Sequence, residues 1–255
     1  MFKQIYSIAS YTLLEALRNR LSWLMLIVAL LGIGLSGFLN ALALTESQAT
    51  QLALLAAFLR FSAAFLLATF VVTSMVREFN DKGLELLLSL ALPRAAYLLG
   101  KLAGFAALAV VPAVLFGLLT LFLSSPTQSL LWTISLIFEL WIVAAFAMLC
   151  VLSFNQIMAA LSATLGFYLL ARSITALQLI AKDAQLEASN SQQFMGMVMN
   201  GISAVIPHLD TFTKTEWLVY RTGQLADLNS IVLQSAICLS LLVAAALFDL
   251  YRKNI

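Results

Sequence analysis

Residues 130–153 read LLWTISLIFELWIVAAFAMLCVLS, an apolar run whose one formal charge is Glu139. Crossing the hydrocarbon core of a bilayer takes roughly 17–25 mostly apolar residues at 1.5 Å rise each. This segment has the length, and it lacks the charged face that a soluble amphipathic helix shows. Working outward, five more stretches read the same way. They are Leu21–Leu39, Leu52–Val76 interrupted by Arg60, Ala95–Leu123 with Lys101 and Pro112, Gln156–Ala181 with Arg172, and Ser230–Leu250 with Asp249 at its end. The pattern predicts an all-α membrane protein of six transmembrane helices, one transmembrane domain over residues 1–255. Little more than Phe154-Asn155 separates the fourth span from the fifth, so those two form a tight hairpin.

Composition agrees. Of 255 residues, 62% are hydrophobic and 10% charged, with a mean hydropathy of +0.99. A soluble domain carries about 45–50% apolar and about 25% charged residues. The net charge of +2, with no basic run, excludes a nucleic-acid partner. Cys150 and Cys238 both lie in apolar runs without a CxxC, which excludes a disulfide framework, a zinc module and an iron–sulfur site. Ala41-Leu42-Ala43 resembles a signal cleavage site, but the first apolar stretch is too long for a signal core and an amphipathic segment precedes it. It reads as a retained span.

Lys and Arg set the orientation. The side shared by the two termini collects Lys3, Arg18, Arg20, Arg77, Lys82, Arg94, Lys101, Arg252 and Lys253, against Lys182, Lys214 and Arg221 on the other. Both termini are therefore expected in the cytoplasm. Residues 1–20 read as an interfacial helix, with Ile5, Ile8, Ala9, Leu13, Ala16 and Leu17 on one face. The loop 182–229 falls outside. Its apolar stretch 193–206 is short for a span, so re-entrant or interfacial helices are expected, with Trp217 and Tyr220 at the headgroups.

Between spans two and three lies a cytoplasmic segment, 77–94. Glu78, Asp81, Lys82 and Glu85 recur on one helical stripe, and Leu84, Leu87, Leu88 and Ala91 on another, before Pro93 ends the pattern. Such a short amphipathic helix either lies on the membrane or offers its charged stripe to a soluble partner. The run Arg77-Glu78 … Leu84-Glu85-Leu86-Leu87-Leu88-Ser89-Leu90 … Arg94 … Tyr97-Leu98-Leu99-Gly100-Lys101 resembles the hallmark of ABC type 2 exporter permeases. Within them it is most similar to the copper-enzyme-maturation and gliding-motility group. It departs in having Lys82-Gly83 where Gly-Thr is common, and Pro93 directly beside Arg94. The resemblance implies a coupling helix whose ATPase-contacting residues are Glu78, Phe79, Asp81, Lys82, Gly83, Leu84 and Glu85. It also implies two separate ABC ATPase subunits, a second copy of the permease, and residence in a bacterial cytoplasmic membrane. It places short outer helices between spans five and six, and a periplasmic accessory protein is compatible with it. The chain has no GxxxxGK[ST], so ATP and Mg belong to the partner ATPase and no cofactor is expected here.

Arg60, Glu139 and Arg172 are costly in hydrocarbon, on the order of 2–3 kcal/mol each, and so must face protein or water. Counted from the outer ends of their spans they lie at one depth, roughly 12–14 Å down. The common depth allows an Arg–Glu–Arg cluster, either a polar step or lock in an export path or a salt bridge setting helix register; the second is the more economical. Lys101 and Asp249 read as snorkelling side chains, and Pro112 as a kink. Gly100 and Gly104 form a lone GxxxG. Met195, Met197, Met199 and His208 suggest copper by chemistry, but only Met195 and Met199 share a helical face, so no metal site is assigned. No catalytic constellation appears in the spans, so the chain is not read as an enzyme. The expected function is the permease subunit of an ATP-driven exporter, with alternating access at a homodimer interface. An ATP-independent secondary transporter is the alternative, although no inverted repeat supports it. Lipid, peptide, small metabolite and sulfur species all fit as cargo.

Overall fold

A computed structural model describes residues 2–42, 47–80, 93–185 and 206–252. Among these, all regular structure is helical. In chain order the helices are α1 (Phe2–Arg18), α2 (Leu21–Leu42), α3 (Ser47–Asn80), α4 (Arg94–Leu121), α5 (Pro126–Phe154), α6 (Ile157–Gln185), α7 (Thr215–Tyr220) and α8 (Leu225–Arg252). A single 3-10 turn, Leu209–Thr211, precedes α7. Six helices, α2 to α6 and α8, are long and apolar enough to cross a membrane. Large apolar side chains cover much of the surface, among them Trp23, Leu30, Leu233 and Leu241. A protein in water rarely exposes such continuous apolar area; a bilayer covers it.

Local chemistry explains where these helices start and stop. Pro126 opens α5 in the first turn, where its missing N–H breaks no bond. Asn155 ends it in the left-handed region at φ 54°, its N–H donating to the Val151 carbonyl at 3.0 Å. Asn tolerates that conformation better than most side chains, and α6 begins two residues on. This is the expected tight hairpin. Pro112 is buried inside a continuous α4.

At the centre stands α5, packed between α3, α4, α6 and α8. Trp132, Leu136, Leu140 and Val143 are buried along it. The pair Gly100 and Gly104 seats α1 across α4: a Cβ on either would lie 2.8 Å from Ile8 Cβ or 2.7 Å from Thr12 Cβ. The GxxxG thus serves an intrachain contact. Of the apolar face expected on α1, Ile5, Ile8, Ala9, Leu13 and Ala16 are buried or half-buried and Thr12 joins them, whereas Leu17 is 45% exposed, which corrects that one residue. The Thr12 hydroxyl tolerates burial by donating to the Ile8 carbonyl of its own helix at 2.9 Å.

Three further expectations are corrected. Residues 77–80 are the last turn of α3 and not the start of a separate helix. Lys101 does not snorkel: it is buried and ion-paired with Glu78 at 2.6 Å. Trp217 is 3% exposed, packed into the core, and only Tyr220 stands out at 72%. Asp249 accepts a hydrogen bond from Ser153 at 3.0 Å, closing the end of α8 onto α5. Arg94 donates to the Leu250 carbonyl at 3.2 Å. Since Ile8 lies beside Gly100, the start of α1 and the end of α8 both meet the first turns of α4, at one end of the bundle.

Candidate functional site

At the other end the chain between α6 and α8 turns into the bundle. Leu209 and Phe212 are fully buried there, and polar residues of three spans close around them. Glu139 on α5 is completely buried. One of its oxygens accepts from the Tyr168 hydroxyl at 3.0 Å and pairs with Arg172 at 3.2 Å; the other accepts from the Thr213 hydroxyl at 2.6 Å. Arg172 also donates to the Leu209 carbonyl at 2.8 Å and to Thr213 Oγ1 at 3.2 Å. Arg60 on α3 donates to the Thr213 carbonyl at 3.0 Å.

Arg60, Glu139 and Arg172 are thus brought together around one loop residue. Each lies roughly 20 Å along its helix from the end nearest that loop, at 1.5 Å per residue. Only Arg172 and Glu139 form an ion pair; Arg60 binds backbone. Two guanidiniums face one carboxylate, and the carbonyl oxygens of residues 209 and 213 accept hydrogen bonds from them. A buried carboxylate in a dry interior is tolerable only when every lone pair is engaged. Here both oxygens are.

Thr213 has φ 41°, a conformation in which a β-branched residue is an outlier. All its polar groups are occupied: the N–H donates to Ser135 Oγ at 2.9 Å, the carbonyl accepts from Arg60, and the hydroxyl sits between Glu139 and Arg172. Such strain persists only where surroundings over-determine it. Ser135, Tyr168 and Thr213 were not singled out from sequence. Two of them carried a signal, since Ser135 precedes Glu139 and Tyr168 precedes Arg172 by four residues, on one helical face each. Thr213 carried none.

A second clamp holds the following turn. The Gln128 side chain donates to the Gly223 carbonyl and accepts from the Gly223 N–H, both at 3.1 Å. A Cβ on Gly223 would lie 2.5 Å from Gln128 Oε1 and 2.9 Å from the Trp217 ring, so that position admits only glycine. Arg221 ends α7 in the left-handed region at φ 57°.

The chain matches no protein-family model and no curated protein. Of the residues implied to contact an ATPase, Glu78 and Phe79 are seen: Glu78 is turned to Lys101 and Phe79 packs against the core. Asp81, Lys82, Gly83, Leu84 and Glu85 lie outside the described residues, as do Met195, Met197 and Met199. Among the described residues no three His, Cys, Asp or Glu side chains converge on a metal position. The Glu139 cluster sets the Thr213 and Tyr168 hydroxyls on one carboxylate. It forms a latch that ties one loop to three helices.

Proposed function

We propose that this protein is the membrane permease subunit of an ATP-driven exporter of the ABC type 2 kind, working as a homodimer with two separate ATPase subunits in a bacterial cytoplasmic membrane. The reading rests on the sequence run from Arg77 to Lys101 placed between two of six membrane-long helices. The geometry at its two ends supports it. Glu78, in the last turn of α3, is ion-paired with Lys101, two turns into α4. The two helices that leave the 81–92 segment are therefore fastened to each other, and a push on that segment reaches both together. Movement of α3 carries Arg60, and with it the Thr213 latch deeper in the bundle. ATP closure on one side would thus bias an opening on the other, as a coupled two-state element requires.

The test is co-purification in nanodiscs with the ATPase encoded beside this chain, followed by ATP hydrolysis assays. Wild type is expected to form a stable complex; Glu85→Arg is expected to lose assembly or at least ten-fold in hydrolysis. A wild-type chain that binds no ATPase overturns the reading.

A further inference from the structure

A cavity of about 780 Å³ opens between α5, α6 and α8, away from the Glu139 latch. Its size is that of a small-molecule site, about 300–1,000 Å³. Phe146 and Phe167, stacked with ring centroids 3.8 Å apart, stand on its inner wall. Ile206, Pro207 and His208 also line it. Its outer side is open: Leu233 is 65% exposed, Ile237 54% and Leu241 65%. That is the surface a bilayer covers.

The lining changes character along α8. Ser230 and Gln234 come first along α8, and Ile237, Leu241 and Ala245 follow. From Ser230 to Ala245 the strip is roughly 22 Å long at 1.5 Å per residue. It is therefore polar toward the start of α8 and apolar for the rest, with an aromatic wall. Among the described residues no Lys, Arg, Asp or Glu lines it. A charged head group would find no counter-charge there, and a short polar solute would leave the apolar length unfilled.

We infer that this groove binds a single-chain amphiphile with an uncharged, hydrogen-bonding head, entering sideways from the bilayer. Ser230 and Gln234 receive the head, and the strip from Ile237 to Ala245 takes the chain against Phe146 and Phe167. Ile206, Pro207 and His208 lead straight into Leu209, whose carbonyl Arg172 holds. Groove and latch share one loop. The binding assignment stands on the cavity alone; that the amphiphile is cargo rests on the permease reading.

The test uses the permease by itself in phosphatidylcholine nanodiscs, so that failure of ATPase coupling leaves the result untouched. The probe is a monoacylglycerol with a photoreactive diazirine in a sixteen-carbon chain. Adducts are expected on residues 230–245 and near Phe146 and Phe167, competed by unlabelled monoacylglycerol and at least five-fold less by the corresponding fatty acid. Ala245→Trp should cut labelling at least five-fold, whereas Phe248→Trp, on an exposed face of the same helix, should leave it unchanged. Cys238 lines the groove and gives a readout in the unmutated protein: monoacylglycerol should slow its alkylation by a membrane-permeant maleimide at least three-fold. Labelling spread evenly over the exposed face of α2, insensitive to Ala245→Trp, or Cys238 alkylation unaffected by the probe, overturns the assignment.

Discussion

Thr213 shows how much one loop residue can carry. Its three polar groups join α3, α5 and α6, and its backbone stays in a disfavoured region because those bonds hold it. Thr213→Val keeps the shape and removes the hydroxyl, leaving one Glu139 oxygen without its donor. An unsatisfied buried acceptor costs about 1–3 kcal/mol, so the thermal midpoint in nanodiscs should fall. Glu139→Gln should cost more, on the order of 3–5 kcal/mol, because it leaves Arg172 without its buried counter-charge. Combining Glu139→Gln with Arg172→Gln should restore part of that loss, since the pair is coupled. Strictly additive losses in the double variant would show that the ion pair contributes nothing.

At the scale of the elements, α1 depends on two missing side chains. Gly100→Ala or Gly104→Ala would drive a methyl into Ile8 or Thr12, and the helices must part. Overpacking of this kind costs about 1–3 kcal/mol. Amide exchange should rise in residues 2–18 while α5 stays protected; equal protection in variant and wild type would mean that α1 is held by something else. The junction of α3 and α4 makes a second case. Glu78→Lys alone places two cations where Lys101 is buried, whereas Glu78→Lys with Lys101→Glu restores the pair in reverse. Rescue of expression and of the thermal midpoint by the swap is the expected outcome.

The whole molecule presents an apolar exterior with polar contacts gathered at one end and near mid-depth. One end joins α1, α4 and α8 through Gly100, Gly104 and Arg94; nearer mid-depth, α3, α5 and α6 are joined through the loop at Thr213. Positive residues gather at the first end, so Phe2→Cys and Tyr251→Cys should label with an impermeant maleimide only from the cytoplasm, and Tyr220→Cys only from outside. All three side chains are exposed, at 89%, 58% and 72%. Labelling with the sides reversed would invert the topology and remove the 81–92 segment from reach of any ATPase.

Six spans, the hairpin at Asn155 and the shared depth of Arg60, Glu139 and Arg172 were all legible in the amino-acid order. Each follows from local rules: hydrocarbon length, left-handed tolerance at a helix end, and a fixed rise per residue. Other features needed the packed chain. Lys101 near a helix end looks like a snorkelling side chain until Glu78, more than twenty residues earlier, is folded against it. Trp217 looks like a headgroup anchor until the loop carries it inward. Gly100 and Gly104 announce a close approach without naming the partner. Thr213 has no local signature at all, because its conformation is imposed by bonds to residues on three different helices. Spacing along the chain decides what a helix can bury, whereas which distant polar groups satisfy one another is decided only when the helices meet.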